Sequence, residues 1–120
     1  MKILVVDDSK AMRMSVRRSL RQAGFGEWEV AEAVDGRAAL DAIRSAPPDL
    51  VLSDWNMPEM TGIELLEALR REGKNVRFGF VTTESTPEMR NRATEAGALF
   101  LLAKPFTPDD LRDNLVKVGS

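Results

Sequence analysis

The chain contains no cysteine and no histidine. Without cysteine there are no disulfides and no thiolate metal sites. Without histidine there are no imidazole ligands, no Ser-His-Asp triad and no self-contained phosphohistidine relay. Charge of one sign is also scarce. With 17 Lys and Arg against 19 Asp and Glu, the formal net charge is −2. That gives no electrostatic case for binding nucleic acid. No apolar run approaches the roughly 18 residues of a membrane span. The N-terminus has one lysine before a strand-like segment with an acidic pair, unlike a secretory signal. These absences predict a cytoplasmic protein of a reducing compartment, with no membrane insertion.

What is present fits one ordinary domain over residues 1–120, since 43% hydrophobic residues supply a core at this length. Lys2-Ile3-Leu4-Val5-Val6-Asp7-Asp8 reads as a strand buried on both faces and ending in two acids. Ser9 caps a helix over about 10–23, with Met12, Val16, Leu20 and Ala23 at helical spacing and Gly24 ending it. Its arginines, Arg13, Arg17, Arg18 and Arg21, fall elsewhere and read as a solvated face. Trp28 to Ala33 is a weaker, alternating strand. Asp35 begins a helix to about Ser45, with Leu40 and Ile43 inward, and Pro47-Pro48 breaks it. Gly24-Phe25-Gly26 follows a helix and lacks a third glycine, so it is no dinucleotide fingerprint.

Asp49 to Asp54 is a third strand, followed by a Met57-Pro58-Glu59-Met60 loop. The next helix carries Ile63, Leu66 and Leu69 on one face and stops at Gly73. Val76 to Val81 is a fourth strand ending in Thr82-Thr83. Ser85-Thr86-Pro87-Glu88 has a capping-box pattern with proline near the first helical position. Ala98 to Ala103 is a fifth strand, ending at Lys104-Pro105. Thr107-Pro108-Asp109-Asp110 starts a last helix with Leu111, Leu115 and Val118 facing in. Five strands alternating with five helices predict an α/β fold, a doubly wound parallel sheet covered on both faces.

Sites on such sheets form beyond the C-terminal strand ends. Those ends carry Asp7-Asp8, Asp54, Thr82 and Lys104. Three carboxylates near one point repel by roughly 4 kcal/mol per pair at an effective dielectric near 20. Protonation relieves this, and so does a divalent cation. An oxygen-only donor set favours Mg²⁺ or Mn²⁺ over zinc, and two carboxylates with a backbone carbonyl suffice. Asp54 would then serve as a nucleophile forming an acyl phosphate, with Lys104 and Thr82 receiving the phosphoryl oxygens.

Val5-Val6-Asp7-Asp8, Asp54-Trp55-Asn56-Met57-Pro58, Gly62-Ile63-Glu64-Leu65-Leu66, Val81-Thr82-Thr83-Glu84 and Lys104-Pro105-Phe106 stand in an order and spacing that resembles response-regulator receiver domains. The stand-alone chemotaxis members, the CheY type, are the most similar. The resemblance implies a flavodoxin-like strand order 2-1-3-4-5. It implies Asp54 as phosphoacceptor, with Asp8, Asp54 and the Asn56 carbonyl as direct Mg²⁺ ligands and Asp7 acting through water. Thr82 resembles the switch hydroxyl, and Lys104 the phosphoryl-binding lysine with a cis bond to Pro105. Asn56 and Glu84 occupy the rate-tuning positions. Leu101 stands where the family has its aromatic switch residue, and Phe100, one step along the strand, points to the other face. Thr83 replaces a small residue and narrows access to the site.

The implied function is phosphorylation-activated signalling. A histidine kinase or phosphotransfer protein is the donor. Output is by protein–protein contact, since 120 residues leave no room for an effector domain. Chemotaxis and a flagellar switch partner are the implied setting, with the protein a monomer or weak dimer. The first-helix arginines are the alternative docking face for the donor, and Met89, Phe100, Phe106 and the last helix a surface for output. A phosphorelay intermediate is the other signalling reading. The enzyme alternative, an aspartate-nucleophile phosphatase, wants an acid two residues after Asp54, where Asn56 stands. The chain would otherwise catalyse only its own phosphorylation and dephosphorylation.

Overall fold

The computed structural model describes residues 1–119, with side chains described to Val116. The elements run β1 (Lys2–Val6), α1 (Lys10–Gln22), β2 (Glu29–Ala33), α2 (Gly36–Ser45), β3 (Leu50–Ser53), α3 (Gly62–Arg71), β4 (Arg77–Thr82), α4 (Pro87–Glu95), β5 (Phe100–Ala103) and α5 (Pro108–Gly119). All four pairings are parallel, in the order β2-β1-β3-β4-β5. The α/β reading and the strand order therefore hold. Val118 lies outside the residues whose side chains are described.

Strand alternation divides the core in two. Leu4, Val6, Val51, Phe78 and Phe80 face one side, against Ala39, Leu40 and Ile43 of α2, Ile63, Leu66 and Leu69 of α3 and Ala93 of α4. Ile3, Val5, Leu50, Leu52 and Val81 face the other, against Val16 and Leu20 of α1 and Leu111 and Leu115 of α5. The two-sided burial explains why β1, β3 and β4 read as unbroken apolar runs. β2 is an edge strand with exposed Glu29 and Glu32, which explains its weaker pattern.

The caps follow side-chain chemistry, with one change from expectation. Ser9, Asp35 and Thr86 each accept a backbone N–H of their helix's first turn. The capping box sits at α3, where Thr61 and Glu64 satisfy each other's backbone donors. At α4 the cap is Thr86 with Pro87 behind it, rather than the Ser85–Glu88 box. Proline has no N–H to offer, and its fixed φ suits the first helical position, which favours the residue directly before it as cap. The first-helix arginines also depart from a purely solvated face. Arg13 and Arg17 both bond Glu32, and Arg13 donates to the Asp7 carbonyl at 2.7 Å. Of the four, Arg18 and Arg21 are the exposed ones.

Phe100 fills the α1–α5 side of β5 through a vacancy on β4. Gly79 is its register partner, and a Cβ there would lie 2.3 Å from the ring. Leu101, the next residue, packs on the opposite core with Met89. Substituting Gly79→Ala forces the Phe100 ring out of its seat. The expected cost is about 1–3 kcal/mol, read as a lower thermal midpoint, and Phe100→Leu in the same chain recovers part of it. An unchanged midpoint for Gly79→Ala alone would contradict this packing.

Candidate functional site

The loop after β3 is fixed by backbone contacts on both sides. Gly62 N–H donates to the Trp55 carbonyl at 2.8 Å, and Asp54 N–H donates to the Val6 carbonyl at 2.9 Å. A Cβ at Gly62 would meet the Asp54 carbonyl at 2.1 Å, and one at Gly36 would meet the Met60 carbonyl at 2.7 Å. These two glycines let α2 and α3 close on the loop. Sequence reasoning gave neither a role, because what each glycine meets comes from another segment of the chain. Glu59, between them, has φ 67°. Met57 and Trp55 are buried, and Trp55 packs on Phe80 with centroids 4.9 Å apart.

The strand ends bring the expected groups together. Carboxylate oxygens of Asp7, Asp8 and Asp54 lie within 4.8 Å of one another. Asp7 is buried and Asp8 exposed. Both Asp7 oxygens have partners: Ser9 N–H donates to Oδ1 at 2.9 Å and Lys104 Nζ to Oδ2 at 3.2 Å. Lys104 lies 3.9 Å from Asp54 Oδ2. Its side chain is 7% exposed, so it is no surface lysine. The pairing of Lys104 with Asp7, closer than with Asp54, was not legible in the sequence. The Lys104–Pro105 bond is cis.

Asp54 Oδ1 accepts the Trp55 N–H at 2.7 Å. Burial pushes the Asp54 carboxyl above its ordinary pKa. Lys104 opposes the rise and Asp7 adds to it. Thr82 is fully buried, and its Oγ1 accepts the Glu84 N–H at 3.4 Å, leaving its own proton to donate. Asn56 Nδ2 donates to Glu84 Oε1 at 3.5 Å, so the two positions expected to tune the rate meet across the site. Thr83 is exposed and lines a cleft of about 310 Å³ with Met12, Ser15, Ser19, Lys104 and Phe106. It thus borders the α1 side of the site. Phe106 and Phe100 pack against the α1–α5 core, and Met89 against the other.

The donor set suits a hard divalent cation: oxygens only, with a net negative charge that one lysine does not balance. The carboxylates that could hold it are Asp7, Asp8 and Asp54, with Asp7 already engaged by Lys104 and Ser9.

An acid pocket backed by a buried lysine and hydroxyl thus lies at the strand-end edge of a doubly wound sheet, where such sheets form their binding sites. The sequence model described as response regulator receiver domain matches residues 3–116. Chemotaxis protein CheY of Pseudomonas aeruginosa is 40% identical over 120 residues, covering 98% of this chain and 95% of that protein. CheY-3 of Vibrio cholerae is 40% identical, covering 98% and 91%. The solved structure of Vibrio cholerae CheY4 superposes with TM-score 0.85 at 40% identity, covering 98% and 97%. The receiver domain of the putative regulator NarL from Mycobacterium tuberculosis gives 0.86 at 30% identity, covering 97% and 93%. The chain belongs to the response regulator receiver domain family. Receiver domains bind Mg²⁺ in an acidic pocket of this kind. Among the described residues no helix is long and apolar enough to cross a membrane.

The raised Asp54 pKa has a definite sign. Its folded value lies above the unfolded one near 4. The native state therefore holds this proton more tightly. The Asp54 contribution to stability is greatest below about pH 4 and declines as pH rises through the interval between the two values. Asp54→Asn should accordingly raise the thermal midpoint of the metal-free protein near about pH 7 and change it little near about pH 3.5. Melting in chelator at both pH values checks this. An equal effect at both would contradict it.

Proposed function

We propose that Asp54 is phosphorylated by a histidine kinase or phosphotransfer protein in a Mg²⁺-dependent step, and that the phosphorylated form signals by binding a protein partner. The observation that carries this is the convergence of Asp7, Asp8, Asp54 and Lys104 on one strand-end pocket. Oδ2 of Asp54 attacks the phosphorus of the donor. The donor's P–N bond breaks, and its imidazole keeps the electron pair. Lys104 exchanges part of its hold on Asp7 for a phosphoryl oxygen, and the free proton of Thr82 is donated to another. A Mg²⁺ ion on Asp8, Asp54 and the Asn56 carbonyl would supply charge neutralisation of the transferred group. Asn56 and Glu84 stand over the pocket, where they meter access of the hydrolytic water.

The similarity to chemotaxis proteins supports a chemotaxis setting, with a flagellar switch protein as the partner and the cytoplasm as the compartment. In this reading the protein turns over no substrate beyond its own acyl phosphate.

Mg²⁺ with acetyl phosphate should add one phosphoryl group to the intact mass, and beryllofluoride should change Trp55 fluorescence. Asp54→Ala should abolish both effects. Steady phosphate release from varied organic phosphates would instead support the phosphatase reading, and no Mg²⁺-dependent adduct would refute the proposal.

A further inference from the structure

Among the described residues Asp7, Ser53 and Thr82 are polar and buried as whole residues, and the Lys104 side chain is enclosed beside them. The reaction above uses Asp7 and Thr82 and leaves Ser53 without a task. Ser53 ends β3, directly before Asp54, and is fully buried. Its register partners are Val6 and Phe80, both apolar. By strand alternation it shares the face of Val51, under the start of α3. A hydroxyl there is costly unless bonded. Ser53 Oγ donates to the Asp54 carbonyl at 2.8 Å.

That carbonyl is the oxygen against which Gly62 closes, 2.1 Å from where a Cβ would stand. The Asp54 C=O and the Trp55 N–H are the two ends of one planar peptide. Fixing the carbonyl therefore fixes the direction of the N–H. The N–H in turn donates to Asp54 Oδ1 at 2.7 Å. With Oδ1 so held, Oδ2 is left on the Lys104 side, 3.9 Å from Nζ.

We propose that Ser53 is a positioning residue for phosphoryl transfer: its hydroxyl locks the Asp54–Trp55 peptide, so that the Trp55 N–H pins Oδ1 and presents Oδ2 as the attacking oxygen. The inference rests on Asp54 being the phosphoacceptor. Ser53 touches no reacting atom and acts only through the peptide that follows it.

The test compares Ser53→Ala, Ser53→Thr and Ile43→Val. Ile43 is buried on the same side of the sheet, in α2, and serves as a packing control. Two readouts are used: the phosphorylation rate from acetyl phosphate at saturating Mg²⁺, and the Trp55 amide proton shift by NMR in the metal-free protein. Ser53→Ala should slow phosphorylation by about tenfold, as expected for a misaligned reacting group. It should also move the Trp55 amide upfield, as its bond to Oδ1 weakens. Ser53→Thr keeps the hydroxyl. It should retain the rate and the amide shift even though its extra methyl lowers the thermal midpoint. Ile43→Val should lower the midpoint and leave both readouts unchanged. A Ser53→Ala protein with the parent rate and amide shift would overturn the inference while leaving the phosphoacceptor reading intact. A parent protein that takes no phosphoryl group on Asp54 would overturn both.

Discussion

One buried lysine facing two carboxylates sets the terms for the rest of the pocket. Lys104 is almost wholly enclosed and bonds Asp7, with Asp54 close by. A buried cation without such partners would be costly, and the carboxylates without the cation more so. The lysine must arrive at the end of β5 while Asp7 arrives at the end of β1, with β3 and β4 between them. Only a parallel sheet with all these ends on one edge brings them together. The apolar strands are thus what makes the polar cluster possible, because they hold like charges closer than the charges themselves would settle. The same imbalance leaves the pocket receptive to a cation and then to an anion.

Most of the fold was legible because its period is simple. Runs such as Ile3-Leu4-Val5-Val6 and Leu50-Val51-Leu52 announce strands covered on both faces, and the helices between them carry apolar residues at helical spacing. The strand-end acids and Lys104 were legible for the same reason, since a break from apolar to charged marks where each strand stops. Contacts across the chain were hidden. Nothing in the sequence near Arg13 points to Glu32, nor does anything near Lys104 point to Asp7 over Asp54. The roles of Gly36, Gly62 and Gly79 depend on what approaches from another element, which local pattern does not encode. The capping box moved from Ser85 to Thr61 because three-residue spacing fits several places, and proline geometry decides among them.

The outer strand shows how parity separates tasks. Phe100 and Leu101 are neighbours in sequence but belong to different cores. The ring at 100 rests on Gly79 and supports the packing of α1 and α5. The leucine at 101 lies beside Phe80 in register and packs on the core that Met89 of α4 also joins. An aromatic residue is therefore present in β5 without being on the side of the sheet that Thr82 shares with Phe80.

The closure of Gly62 on the Asp54 carbonyl has a mechanical meaning. On the β3–α3 side, backbone meets backbone with no intervening side chain, so there is nothing soft to compress. On the β4–α4 side, Thr83 and Glu84 are exposed, and Glu84 is held by two long hydrogen bonds, from its N–H to Thr82 and to its carboxylate from Asn56. The pocket has one rigid wall and one compliant wall. Any group added at Asp54 would thus meet packed backbone on one side and exposed side chains on the other.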